Sequence, residues 1–536
     1  MNSPRTSSLS DSAGWLTAAL VALPFLQAAP VDFDRNGALI LMLPALWTGR
    51  HVLARAVSRV QHGPVWLRLC AGVAGLATVL SVVFADQPAP AAVTAASWIL
   101  LTATGLLAGQ LVSETPRAAW RLLAGLVLGT AAGSVAVWIL WWLGGREAVP
   151  LYAHHRHLGL HTMAGAIAAV ALLLRPGLTR RQILGWGLAG ALTWGGMLWS
   201  GGRAPLLAVA AGLGVWVIIG RPPERKRLLK ISTLLFLAGL VISAAGWTAN
   251  PELGWWHAFS RTAAAAAEGS ASKLTSTRSE FWRSTVERAE TAPWLGHGPD
   301  AYRFLTPKLD GQQPHNVVLQ LWLDVGLIGA IPLLAILAWL LGRGGKTAGI
   351  PEDPATRAWL ALLVASVVAG LLDGVFYHLL AFLPAMLAAG LILSSLLAPT
   401  SAQAKRFVPA ATLGTAILLL TLHLGIFYVL AVAPPPAPAS LTARVVRAFP
   451  STTFGLWRWL DAWEPEHPAE ALAWTRWAET HSSNPIFFHL HAAQLLAARG
   501  DRAGVEAELQ AARAKAHWSA RPSIDAMLDQ LHSVSR

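Results

Sequence analysis

Thirteen apolar runs dominate the chain, at 14–30, 37–49, 66–85, 91–112, 122–143, 158–175, 183–199, 204–220, 231–247, 315–341, 358–376, 379–397 and 408–432. Most approach the roughly 20 residues that an α-helix needs to cross the hydrocarbon of a bilayer. In lipid every backbone N–H and C=O must find an internal partner, so runs of this length fold as helices. The run at 37–49 is the weakest, being short and reaching Arg50. Several others are rich in Gly and Ala, which let membrane helices approach closely. Only 13% of the 536 residues are charged, against about 25% in a soluble domain. The fold class expected is all-α: a polytopic membrane protein with about 12–13 transmembrane helices.

Loop charge orients the spans. One alternate set of loops holds clusters such as Arg50, Arg55 and Arg59, Arg180 and Arg181, and Arg221, Arg225, Lys226, Arg227 and Lys230. The short loops of the other set carry only Arg35, Arg146, Arg156 and Arg203. The first set is therefore cytoplasmic. The net charge of +13 belongs to those loops and to anionic lipid head groups. No zinc-finger, RNA-binding or helix-turn-helix pattern accompanies it, so nucleic acid is not an expected partner. The one cysteine, Cys70, lies inside an apolar run, which excludes a disulfide framework and a thiolate-rich metal site. Arg5 followed by an apolar run from Gly14 is read as an uncleaved first span.

Three segments then face away from the cytoplasm: a short loop with His154-His155-Arg156-His157, the long loop 248–314, and a tail from about 433 to 536. The tail opens with Ala433-Pro434-Pro435-Pro436-Ala437-Pro438, a stiff spacer. Apolar residues then recur at helical spacing over 466–480, 485–499 and 502–516, with the look of a tetratricopeptide-type hairpin. The domains expected are N-terminal transmembrane helices (1–150), a catalytic region (151–432) and a soluble periplasmic helical module (433–536).

The chemistry collects on the outer face. Pro314 predicts the first turn of a helix and puts His315 near its N-terminus. There the helix dipole disfavours imidazolium, as suits a general base. Asn316 or a backbone group is expected to fix the tautomer. The bland alternative is a histidine solvated at the interface. Arg278, Arg283, Arg288 and Arg303 lie in the long loop, Arg203 in a tight Gly201-Gly202-Arg203 turn and Arg156 in the short loop. A guanidinium fork fits phosphate oxygens. The long loop has seven basic and seven acidic residues, so it is not a general basic patch, and Arg283 is spaced for an ion pair with Glu287. Arg203, flanked by apolar spans without an acidic neighbour, reads as functional. His378 ends a span on the same side and is placed within reach of the site, whereas Asp324 lies too deep. His157 and His161 have a spacing that zinc uses, but no carboxylate or cysteine stands beside them, and lining of a cavity mouth is the simpler reading. No phosphate loop or Gly-x-Ser-x-Gly elbow appears.

Arg278-x-x-x-Trp282, Pro293-Trp294-Leu295-Gly296-His297-Gly298, His315-Asn316-x-x-Leu319-Gln320 and Gly326-Leu327-Ile328-Gly329 together resemble the O-antigen ligase and polymerase superfamily of bacterial envelope glycosyltransferases, over about residues 150–400. The resemblance implies a GT-C-like fold and glycosyl transfer at the periplasmic face of the inner membrane, without metal or cofactor. The implied donor is a glycan on undecaprenyl pyrophosphate. The acceptor is a hydroxyl of lipid A–core, of another lipid-linked glycan (a polymerase) or of a protein (an O-oligosaccharyltransferase). His315, Arg278 and Arg203 are the expected catalytic residues, and Arg156, Arg288, Arg303, Asn316, Trp282 and His378 the substrate-binding ones. The tail is expected to serve a protein partner. A transporter or lipid flippase is the rival of another class, but the chain lacks paired broken halves with midplane charges.

Overall fold

Most of the apolar runs become one helix each, while the first passes from a helix, Pro4–Ala22, into a 3-10 segment, Leu23–Ala28. The computed structural model describes residues 4–28, 37–144, 151–152, 154–246, 253–269, 278–304, 313–345, 353–376, 378–397, 408–431, 433–448, 453–482, 485–516 and 521–533. Arg35, Arg146, Lys346 and Arg406 lie outside them. In chain order the helices of the apolar region are α1 (Pro4–Ala22), α2 (Leu43–Thr48), α3 (Arg50–Gln61), α4 (Val65–Val83), α5 (Pro88–Glu114), α6 (Arg117–Leu143), α7 (His155–Leu174), α8 (Arg180–Trp199), α9 (Arg203–Ile219), α10 (Pro222–Ala245), α11 (Trp255–Ala267), α12 (Arg278–Ala289), α13 (Val317–Gly344), α14 (Pro354–Leu372), α15 (Leu379–Leu396) and α16 (Val408–Ala431). No strand occurs among the described residues. Nine helices there are long and apolar enough to cross a membrane: α4 to α7, α10, and α13 to α16. Helices α1, α8 and α9 fall short of that measure. The run at 37–49 is instead a 3-10 segment, Gly37–Met42, leading into the six-residue α2.

Helix α7 is the centre of the bundle, buried along nearly its whole length and packed on α6, α8, α14 and α9. Its first turn therefore sits where the outer ends of other helices converge. Small residues make the packing close. Gly109 of α5 faces Gly390 of α15 so tightly that a Cβ there would lie 2.1 Å from the Gly390 carbonyl oxygen.

Helix α13 is broken at Gly326, whose φ of +63° and ψ of −178° suit essentially only glycine. The break frees backbone groups that water cannot serve at membrane depth. The Pro293–Gly298 segment serves them. The carbonyls of Leu323 and Asp324 accept from the N–H groups of His297 (2.7 Å) and Gly298 (3.0 Å), and Leu327 and Ile328 donate to the carbonyls of Pro293 (2.8 Å) and Trp294 (3.2 Å). Two sequence motifs are thus one backbone-paired unit. Above it, Phe281, Ala289, Ala301 and Tyr302 form a small core with Leu323 of α13, and Trp282 and Trp322 pack against it. Asp324 accepts from the Ala301 N–H at 3.3 Å, bridging helix to loop.

The tail is helical at all three expected places, α19 (Pro468–His481), α20 (Pro485–Ala498) and α21 (Arg502–Lys515), preceded by α17 (Leu441–Ala448) and α18 (Thr453–Trp463) and followed by α22 (Arg521–Ser533). Its core of Trp459, Trp463, Trp474 and Phe488 continues into Ile426 and Leu430 of α16. The Gln87 side chain, between α4 and α5, donates to the Thr480 carbonyl at 3.1 Å. Its neighbour Asp86 meets Arg288 of the long loop, so tail and loop share one face.

Candidate functional site

The N-terminal ends of α7, α9, α12, α13 and α15 meet near the C-terminus of α14, where His157 lies against His378, His315 and Arg278 reach Asp373, and the charges of Arg156 and Arg203 act on Arg278. His315 stands two residues ahead of α13 in the left-handed region, at φ +54°. For a non-glycine residue that costs about 1–2 kcal/mol, and such strain gathers at functional sites. Its Nδ1 lies 2.9 Å from Asp373 Oδ1, and its ring meets Phe281 edge to face at 5.4 Å. Asp373, the residue after α14, is buried. Its Oδ1 also accepts the Gly374 N–H at 2.8 Å, and its Oδ2 accepts from Arg278 Nη2 at 3.2 Å. A carboxylate accepts only, so His315 donates from Nδ1, and in the neutral form of the ring the lone pair lies on Nε2.

Arg156 and Arg203 complete the surroundings. Both charges act on Arg278, and Arg156 acts on Arg203 and on Asp373 as well. Burial first, and then the charges of Arg156 and Arg203, push the Arg278 guanidinium down from its ordinary value, while Asp373 pulls it back up. Arg203 Nη1 donates to Thr262 Oγ1 of α11 at 3.1 Å. Arg278 Nε is buried and has no hydrogen-bond partner among the described residues. Three arginines, five positive helix ends and one carboxylate leave an excess of positive potential, an arrangement that suits a multiply charged anion.

His378 joins the site through Gln313, whose Nε2 donates to His378 Nε2 at 3.2 Å. Gln313 presses on the backbone after Asp373 so closely that a Cβ on Gly374 would lie 1.7 Å from its Oε1. The His378 ring lies against His157, with centroids 3.5 Å apart. Of the expected site residues, His315, Arg278, Arg203, Arg156 and His378 are thus brought together.

The other four do different work. Helix α13 begins at Val317 and not at Pro314. Asn316 is its N-cap, accepting from the Val318 (3.0 Å) and Leu319 (3.2 Å) N–H groups, so Asp373 and not Asn316 orients His315. Arg288 bonds Asp86 at 3.0 Å, roughly 15 Å along α12 from Arg278. Arg303 meets Asp300 at 3.4 Å. Trp282 packs in the loop core. Arg283 and Glu287 stand 3.9 Å apart on the exposed face of α12, the surface pair their spacing predicts.

Two participants, Asp373 and Gln313, were given no role by sequence reasoning, whereas His157 was read as lining a cavity mouth. The one available signal was an acidic residue at the outer end of an apolar run, on the side where the arginines lie. In the histidine run, His154 caps α7 by accepting from the Arg156 N–H at 3.1 Å, and His161 Nδ1 lies 2.9 Å from the Tyr152 hydroxyl. Among the described residues, the His, Asp and Glu trios at metal-ligand spacing lie in the tail instead.

These features define a class: a polytopic helical membrane protein with a histidine–carboxylate pair amid arginines at one membrane face. Residues 188–334 match the model of the family described as O-antigen ligase. Over 186 residues the chain is 28% identical to an O-antigen ligase of Pseudomonas aeruginosa, covering 34% of this chain and 40% of that protein. These matches make the segment 188–334 similar to the O-antigen ligase family. The family segment holds Arg203, Arg278 and His315, while Arg156, Asp373 and His378 lie outside it.

Proposed function

We propose that this protein transfers a glycan from undecaprenyl pyrophosphate to an acceptor hydroxyl, a sugar of lipid A–core, on the periplasmic face of the inner membrane. The observation that carries the reading is the His315–Asp373 pair set among Arg156, Arg203 and Arg278. His315 Nε2 takes the proton of the acceptor hydroxyl as its oxygen attacks the anomeric carbon. Asp373 holds the ring in the productive tautomer and stabilises the imidazolium that forms. The bond from that carbon to pyrophosphate breaks from the opposite face, so the anomeric centre inverts. The arginines stabilise the charge that grows on the departing pyrophosphate. Pyrophosphate leaves readily, so the scheme asks for no general acid, metal or cofactor. The loop charges support the periplasmic placement.

The helical tail favours a second reading within the same chemistry, a glycan polymerase or a protein O-oligosaccharyltransferase. A polymeric or protein acceptor gives such a module something to hold.

Surface-glycan analysis tests both. A strain lacking the gene is complemented with wild type or with His315→Ala. Lipid A–core without polymer, with lipid-linked polymer accumulating, establishes the ligase. Core carrying one repeat establishes a polymerase, and intact lipopolysaccharide beside an unglycosylated protein establishes protein transfer. Full complementation by His315→Ala overturns the mechanism.

A further inference from the structure

His157 takes no part in the scheme above, yet it stands inside the site. It is in the first turn of α7, next to Arg156. Its Nδ1 is buried with no hydrogen-bond partner among the described residues. Its ring lies against His378 at a tilt of 41°, and His378 is itself held by Gln313, so its position is fixed from one side. Arg156, Asp373 and His315 all act on it electrostatically.

A buried polar atom without a partner costs about 1–3 kcal/mol, and native proteins seldom leave one without reason. Resting on the proposed transfer, the position of His157 has a specific meaning. In the reacting complex one group lies between the pyrophosphate and the attacking hydroxyl: the sugar whose anomeric carbon is transferred. His157 neighbours both the arginine that faces the pyrophosphate and the pair that faces the hydroxyl. It therefore stands beside that sugar. Two imidazoles at 3.5 Å repel each other if both are charged, and the surrounding arginines add to that repulsion. An uncharged ring offers one hydrogen bond of the kind a sugar hydroxyl or amide makes, and not an ion pair.

We infer that His157, braced by His378, binds a ring substituent of the donor's first sugar through Nδ1 and so selects the donor. A site built around such a hydrogen bond rejects an analogue lacking the partner group strongly, because its own polar atom is then left unpaired.

The test compares donors on polyprenyl pyrophosphate whose first sugar carries, or lacks, one hydroxyl or acetamido group at each ring position in turn. The full-length purified protein is assayed in lipid nanodiscs. Wild type is expected to prefer one intact donor over its deoxy analogue by at least tenfold in kcat/KM. His157→Phe keeps an aromatic ring against His378 and is expected to lose that preference while keeping turnover of the deoxy donor. His157→Gln keeps a hydrogen-bonding group and is expected to retain part of the preference. If His157→Phe discriminates as wild type does, the inference is overturned, and it is equally overturned if wild type discriminates at no ring position. A full-activity His315→Ala control would instead strike the proposed transfer itself, so the two failures are separable.

Discussion

His315 Nδ1 and Asp373 Oδ1 lie 2.9 Å apart across 58 residues of sequence, joining the strained residue ahead of α13 to the end of α14. Removing the carboxylate's charge while keeping its shape should release the ring to the wrong tautomer. Asp373→Asn is expected to lower kcat by roughly 10²–10⁴, with a smaller change in donor KM. Single-turnover transfer by the purified protein measures both. A kcat within tenfold of wild type would remove Asp373 from the mechanism.

The arginines divide by what they touch. Arg278→Lys and Arg203→Lys replace a planar fork with a point charge, and kcat/KM for the pyrophosphate-linked donor should fall by about 10- to 100-fold. Arg288 is bound to Asp86 in a pair whose side chains are 41% and 53% exposed, which is worth about 0–1 kcal/mol. Arg288→Ala should therefore stay within about threefold of wild type. Equal losses in all three variants would show that the arginines act as a general field and not as local contacts.

Gly326→Ala probes the break in α13. The new Cβ would lie 2.2 Å from the Trp294 carbonyl carbon, at a φ of +63°, so the loop segment must undock or the helix must shift. The expected cost is about 1–3 kcal/mol from backbone strain alone, read as a fall of several degrees in Tm in detergent, with activity falling alongside. An unchanged Tm would mean that the docking contributes nothing to stability.

Spans and candidate residues were legible for different reasons. Hydropathy acts on the scale of a bilayer, so runs of apolar residues announce their helices. The exception at 37–49 was the shortest run. His315, Arg203 and Arg278 stand out because charge and titratable nitrogen are rare in such a chain. What stayed hidden were pairings. Nothing local to Arg288 says that its partner is Asp86, 202 residues away, and nothing beside His315 points to Asp373. Arg303 is different. Asp300 three residues earlier is visible in the sequence, and weighing it would have marked Arg303 as already paired. The Gly326 break was hidden because, Asp324 apart, the run stays apolar across it, as a continuous helix would also require.

In the tail, burial and the neighbouring Glu508 carboxylate push the Glu479 carboxyl up to about 7. Its folded value then lies above its ordinary 4.5, so the stability it contributes is complete below that value and is lost as pH rises towards 7. Burial, the larger effect, lowers the nearby His489, partly offset by its bond to Glu508. That acts in the opposite sense. Glu479→Gln should therefore gain Tm over wild type by an amount that grows between pH 4.5 and 7 and levels off above, on the order of a few degrees. A Tm difference that does not vary with pH would contradict the burial argument.

The way α13 is closed also sets an order of synthesis. Residues 293–298 leave the ribosome before the helix ends that receive them, so the long loop is complete in sequence while its socket is still unmade. Arg156 comes from one side of that event and Asp373 and His378 from the other. A nascent chain stopped before Asp373 carries the arginines and His315 without the carboxylate that pairs with it, so the site is complete only when its later spans are in place.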